Sequence, residues 1–229
     1  YAANPWGFFD MQGNVYEWTA DLYGAYPAGP VTDPSGATSG SDRVRRGGSW
    51  YNGGTTLRSA KRTDYPPSHR NYTLGFRVAF KFTGAHTVPS ASNLEMLWVE
   101  PGSFMMGSPT SEAGRGTDET EHNVTLTKGF YLGKYEVTQA QYEAVMTGLS
   151  ATPSNWPGNP NRPVEMVSWD DVQVFLTRLN DAEQTAGRLP IGWEYVLPTE
   201  SEWEYACRAG TTTAYSWGAA IASSNANYN

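Results

Sequence analysis

Gly7-Phe8-Phe9-Asp10-Met11-Gln12-Gly13-Asn14-Val15-Tyr16-Glu17-Trp18 is the stretch whose surroundings decide the fold. It turns about Gly13, the residue type that most readily reverses a chain, and it carries a carboxylate on either side, Asp10 and Glu17. Moving outward, Arg46-Gly47-Gly48-Ser49-Trp50 and Leu74-Gly75-Phe76-Arg77 lie in the same block, residues 1–80. A second set lies in residues 93–229: Met105-Met106-Gly107, Tyr135-Glu136-Val137-Thr138, Pro163-Val164 with Val167-Ser168-Trp169, and Leu197-Pro198-Thr199-Glu200-Ser201-Glu202-Trp203-Glu204-Tyr205-Ala206. The stretch between the blocks, 81–92, is small and polar with no periodicity, and it reads as a linker inside one domain spanning 1–229.

Composition bounds the answer. The chain has 229 residues, and 16 Lys plus Arg against 23 Asp plus Glu leave a net charge of −7. That balance argues against nucleic acid, which is gripped by a basic surface. Nine Trp, 14 Tyr, 8 Phe, 24 Gly and 15 Pro describe an aromatic core threaded by turns. No apolar run reaches the roughly 18 residues of a membrane span, and Tyr1-Ala2-Ala3-Asn4-Pro5 has neither the basic start nor the apolar stretch of a signal peptide. The lone Cys207 forms no internal disulfide, and His69, His86 and His122 have no metal-ligand spacing.

Three helices are announced by their caps. Thr138 precedes 139–146 with Gln141 at the third helical position, Ser168 precedes Trp169-Asp170-Asp171, and Thr199 with Glu202 forms a capping box that opens a helix stopping at Gly210. Strands are expected at Val44–Arg46, Phe76–Phe80, Met96–Val99, Val124–Leu126 and Phe130–Lys134. The long remainder, rich in Gly, Pro, Asn and Ser, must be ordered coil, and the scattered tryptophans are the expected anchors that pin it into the core.

Taken with their spacing, these motifs resemble the formylglycine-generating enzyme family, also called the sulfatase-modifying-factor family. The resemblance covers nearly the whole chain and implies an α+β domain with little regular secondary structure, related to the C-type lectin fold. The order is inverted, because family members run from the Met-Gly block to the Gly-Phe-Arg block. Reading 93–229 and then 1–80 restores it. A circularly permuted domain and a slice of tandem copies both account for this; the first predicts a self-contained monomer, the second that each block needs a partner chain.

Active family members are copper oxidases that convert a sulfatase cysteine to formylglycine, and their two thiols lie in the loop after Gly-Gly-Ser. Here that loop holds Asn52 and then Gly53-Gly54-Thr55-Thr56-Leu57. Copper(I) needs soft sulfur ligands, so no copper is expected. Cys207, inside a helix beside Trp203, reads as a small core residue, and three-histidine iron chemistry is disfavoured by the scattered histidines.

The resemblance also implies structural calcium, with one site formed by Asp10, the carbonyls of Gly13 and Val15, and Glu17. A second site would start at Asn227 and the Tyr228 carbonyl. Hard oxygen donors of this kind suit calcium.

The stretch between Gly-Gly-Ser-Trp and Gly-Phe-Arg carries Tyr51, Asn52, Thr55, Arg58, Asp64, Tyr65, His69, Asn71 and Tyr72, the mixture of rigid aromatics and adaptable polar groups found in binding surfaces. Arg46, Arg58, Lys61, Arg62 and Arg70 would make this face basic. Asp118 and Glu119 read as a solvated loop.

The expectation is a non-catalytic, calcium-stabilised domain outside the cytoplasm, extracellular or periplasmic. It would serve as a ligand-binding or structural and assembly module for a protein or carbohydrate, with self-association as a further possibility. The alternative is an enzyme with other chemistry in the same pocket, drawing on His69, Asp64 and Tyr65.

Overall fold

The computed structural model describes residues 1–82, 94–148 and 153–229, so most of the expected linker lies outside the described residues. In chain order the strands are β1 (Tyr16–Leu22), β2 (Val31–Thr32), β3 (Arg43–Arg46), β4 (Arg62–Tyr65), β5 (Leu74–Phe76), β6 (Ala79–Phe82), β7 (Met96–Val99), β8 (Gly102–Met106), β9 (His122–Leu126) and β10 (Phe130–Gly133). Helices α1 (Gln139–Val145) and α2 (Trp169–Thr185), strand β11 (Trp193–Val196) and helix α3 (Glu200–Arg208) complete the set.

All three helices begin with a reciprocal capping box, Thr138 with Gln141, Ser168 with Asp171 and Thr199 with Glu202. Each box satisfies two backbone donors that a helix start leaves open. The strands form three small sheets, ordered β4-β3-β1-β5, β11-β6-β10-β7 and β2-β9-β8. The expected strand over 76–80 is broken in two: β5 ends at Phe76 and pairs with β1, whereas β6 pairs with β10 and β11 in a different sheet. Arg77, buried between them, breaks the run because its guanidinium turns to Glu17.

Sheet pairing joins the two blocks. Strand β6 from the first sits between β10 and β11 of the second, with Phe80 opposite both Tyr131 and Tyr195. The Asn14 amide donates to the Asn227 carbonyl at 3.0 Å, and the Asn4 side chain donates to the Ala206 carbonyl at 2.8 Å. Two glycines permit the closest approaches: a Cβ on Gly75 would lie 2.4 Å from the Val164 carbonyl oxygen, and one on Gly13, whose φ is +106°, 2.6 Å from that of Asn227.

One core cluster packs Trp18, Phe76 and Phe80 against Phe175 and Leu179 of α2, and another gathers Phe8, Met11, Phe130 and Leu132 around Trp203 and Cys207 of α3. The tryptophans divide more sharply than expected. Trp18 and Trp203 are wholly buried, while Trp98 and Trp156 stand out at 43% and 40% exposure. No helix among the described residues is long and apolar enough to cross a membrane.

Candidate functional site

The four arginines and one lysine expected to form a basic face do not form one. Arg46, Arg58 and Arg62 are buried. Arg58 reaches across the molecule to Glu119 with two hydrogen bonds of 2.7 and 2.8 Å and to Glu112 at 2.6 Å, so Glu119 is a buried partner rather than a solvated residue. Arg62 forks onto Glu200 at 2.7 and 2.8 Å. Arg46 pairs with Glu204, whose other oxygen accepts from Arg208 Nε and the Gly107 amide, both at 2.9 Å. These guanidiniums are structural, since fork geometry matches carboxylate and little capacity remains for a ligand.

The residues expected to bind ligand separate in the same way. Thr55 spends its carbonyl on Arg58 Nε. Asp64, Tyr65 and His69 gather on the β4 side, where the His69 ring lies 3.9 Å from that of Tyr65 and Arg45 caps Tyr65 at 3.8 Å. Burial and Arg45 hold the His69 imidazole below its ordinary range. Asn71 accepts from the Thr73 amide and hydroxyl, closing a local turn. Asn52 accepts from the Ser49 hydroxyl and, through its carbonyl, from the Asn229 amide.

Tyr72 belongs elsewhere, in a cleft of about 550 Å³ that also takes in Asn14, Val15, Trp50, Gln139, Trp156, Arg162, Pro163, Glu165 and Asn227. Three rings form its aromatic wall. Trp50 and Trp156 meet at 5.3 Å and 76°, Tyr72 and Trp156 at 5.5 Å and 90°, and Trp50 and Tyr72 at 5.8 Å. Tyr51, 57% exposed, packs edge-on against both Trp50 and Tyr72 from outside.

Backbone hydrogen bonds hold the wall in place. Asn14, at φ +62°, accepts from the Trp50 amide at 2.8 Å. Gln139, at the start of α1, donates its side-chain amide to the Trp156 carbonyl. The floor carries Glu165, whose Oε1 accepts from the Trp156 amide at 3.2 Å while Oε2 is buried with no hydrogen-bond partner among the described residues. Burial raises the Glu165 carboxyl above its usual range. The second block supplies Trp156, Glu165, Gln139 and Arg162, none of which the reading of the first-block loop included. The one available signal was an isolated Trp in the Pro- and Asn-rich run Pro153-Ser154-Asn155-Trp156-Pro157.

Among the described residues, no cysteine, histidine or methionine lines this cleft. Cys207 points from α3 into the core, and burial pushes its thiol up to about 12. The donor set therefore does not fit a soft copper(I) ion.

The calcium residues are next door. Glu17 is buried, with Oε1 accepting from Arg77 at 2.8 Å and Oε2 from Arg77 at 3.0 Å and from Trp203 Nε1 at 2.8 Å. Arg77 also faces Asp10 and Glu136. Glu136 is buried, accepts from the Asn14 side chain at 2.9 Å and is held well above the usual carboxylate range by burial, with Glu17 and Asp10 adding to the rise.

One guanidinium thus serves three carboxylates. In hardness these oxygens match a calcium ion. Among the described residues no three His, Cys, Asp or Glu side chains converge to hold a metal by themselves, so carbonyl oxygens would have to complete the shell. The second calcium set does not stand apart: Asn227 uses its carbonyl on Asn14 and lines the cleft, and Tyr228 packs near Gly54 and Tyr215.

Three small sheets, three capped helices and long ordered coil around a cleft behind Gly-Gly-Ser-Trp define a formylglycine-generating-enzyme-like α+β domain. The chain matches the sulfatase-modifying factor enzyme 1-like domain over residues 1–82 and 81–229, and it belongs to that family. It is 45% identical over 83 residues to the serine/threonine-protein kinase pkn1 of Chlamydia caviae, covering 34% of this chain and 13% of the kinase. It is 36% identical over 83 residues to the formylglycine-generating enzyme of Mus musculus, covering 34% of this chain and 22% of that enzyme. A solved structure, PvdO from Pseudomonas aeruginosa, shares 28% identity at a TM-score of 0.42, over 51% of this chain and 48% of its own. The match spans well under two thirds of these relatives, so each whole protein extends far beyond the shared segment.

Proposed function

We propose that the domain is a non-catalytic ligand-binding module of the formylglycine-generating-enzyme family, with the Trp50–Tyr72–Trp156 cleft as its binding site. The observation that carries this is the lining of the cleft, which is aromatic and polar and, among the described residues, offers no sulfur to hold copper. Such a cleft, apolar-walled with a few placed polar groups, is the usual form of a small-ligand site. Incubating the protein with a cysteine-containing sulfatase peptide, copper and oxygen is expected to yield no aldehyde. Turnover to formylglycine, detected by mass spectrometry, would overturn the reading.

The proposal includes a structural calcium ion beside Asp10, with the Gly13 and Val15 carbonyls and the carboxylates of Glu17 and Glu136 as the neighbouring hard oxygens, and a location outside the cytoplasm, where free calcium is plentiful. A saturating metal that binds only the folded state stabilises it by about 2.7 kcal/mol at a hundredfold excess over Kd. Chelation should therefore lower Tm by several degrees. Asp10→Asn should abolish that response while leaving the Glu17–Arg77 pair intact. Equal melting with calcium and with chelator would remove calcium from the proposal.

A further inference from the structure

We propose that the cleft seats a methylated ammonium group, enclosed by Trp50, Tyr72 and Trp156 and balanced by the buried carboxylate of Glu165. This rests on the reading of the cleft as a binding site and names the chemical class of its ligand. Two independent features point the same way.

The first is the ring arrangement. Trp156 stands nearly perpendicular to both neighbours, at 76° to Trp50 and 90° to Tyr72. The contacts of Trp156 are edge-to-face, not parallel stacks, and all three residues line one cleft. Trp156 remains 40% exposed, which a ring recruited only for core packing would not be. Aromatic faces carry negative electrostatic potential, and a cation set against several of them gains up to about 2 kcal/mol when water is excluded.

The second is Glu165. It is 4% exposed, and its Oε2 has no hydrogen-bond partner among the described residues. Among the described residues, the groups that act on it are Ser154 and the backbone of Asn155 and Trp156, through hydrogen bonds, with no cationic side chain beside them. Burying a charged group without a partner is costly, and such orphans in native structures call for a reason. A bound cation supplies the missing charge.

Arg162 also lines the cleft and opposes a cation, but it is exposed. Solvent screens its charge, whereas the field of Glu165 acts through the poorly polarisable interior. A quaternary or methylated ammonium fits better than a primary amine, because it donates few or no hydrogen bonds and the wall of the cleft is ring surface. That chemistry occurs both in choline headgroups and in methylated lysine side chains.

The test is calorimetric titration of the intact chain with choline and with 3,3-dimethylbutan-1-ol, its neutral isostere. Phosphocholine and Nα-acetyl-trimethyllysine amide are further arms that separate the two sources. Choline is expected to bind at least about tenfold tighter than the isostere. Glu165→Gln should bring the two ligands within about twofold. Trp156→Ala should weaken choline about tenfold, and Trp156→Phe, which keeps a ring, should recover most of it and serves if the alanine variant melts early.

Equal binding of choline and isostere would overturn the cationic assignment while leaving the cleft a binding site. Absence of choline binding to the folded protein at tens of millimolar would also overturn it. The sulfatase-peptide assay judges the non-catalytic reading separately.

Discussion

Glu204 and Glu165 are both nearly out of reach of water, at 0% and 4% exposure, yet their company is opposite. Glu204 is clasped by Arg46, Arg208 and the Gly107 amide, so every buried oxygen has a charged or amide donor. On Glu165, Oε1 accepts from the Trp156 amide, and Oε2 has no hydrogen-bond partner among the described residues. The first arrangement knits α3 to β3 and the Gly107 turn. The second leaves Oε2 without a partner among the described residues, in a residue that lines the cleft. A buried charge with its counter-charge in the chain is part of the scaffold; one without is poised for something that arrives from outside.

The largest expected effect breaks the scaffold side of this contrast. Glu204→Gln leaves buried Arg46 with only the longer 3.4 Å pair to Glu200, and leaves Arg208 without its carboxylate, and should cost about 3–5 kcal/mol in urea unfolding. A cost below about 1 kcal/mol would mean that the network contributes little, and the contrast would fail.

Asp21 is an intermediate case, its Oδ2 accepting from the Glu200 amide at 2.6 Å. Its pKa is pushed up to about 7, first by burial and then by Glu200, with Glu202 adding and Lys81 opposing, while Arg43 also faces it. Because the folded state holds this proton more tightly than the unfolded chain does, the contribution is full below about pH 4 and is lost as pH rises towards 7. The swing should be of the order of 4 kcal/mol, with buried Glu136 pulling in the same direction. Denaturant midpoints between pH 4 and 8 measure it, and Asp21→Asn should flatten the slope. A stability that climbs steadily over that range in both proteins would sink the assignment.

The smallest effect sharpens the other side. Glu165→Gln keeps an acceptor for the Trp156 amide and removes an unbalanced charge, so stability should change by no more than about 1 kcal/mol and in the favourable direction. A loss comparable to that of Glu204→Gln would place Glu165 in the scaffold after all.

Local signals were readable from sequence, and long-range pairing was not. The three caps were visible because each is written within four residues, and the structure contains all three boxes. Strand β1 was missed because Tyr16-Glu17-Trp18-Thr19-Ala20-Asp21-Leu22 has no alternation: it is buried on both faces, and its acids find partners far away in Arg77 and in the start of α3. The basic face was misread for the same reason. Arg58 looks exposed until Glu112 and Glu119 arrive from another part of the chain. Of the cleft, Tyr72 was legible within its own loop, while Trp156 and Glu165 reach it only because Gly75 lets Val164 close in on β5.

The burial of Cys207 has a practical consequence. With the thiol wholly enclosed and its pKa near 12, the native chain offers maleimide reagents almost no thiolate. A cysteine introduced at exposed Tyr51 would then be the one readily labelled position. A dye there, at the outer edge of the aromatic wall, could report cleft occupancy molecule by molecule without first stripping sulfur from the core.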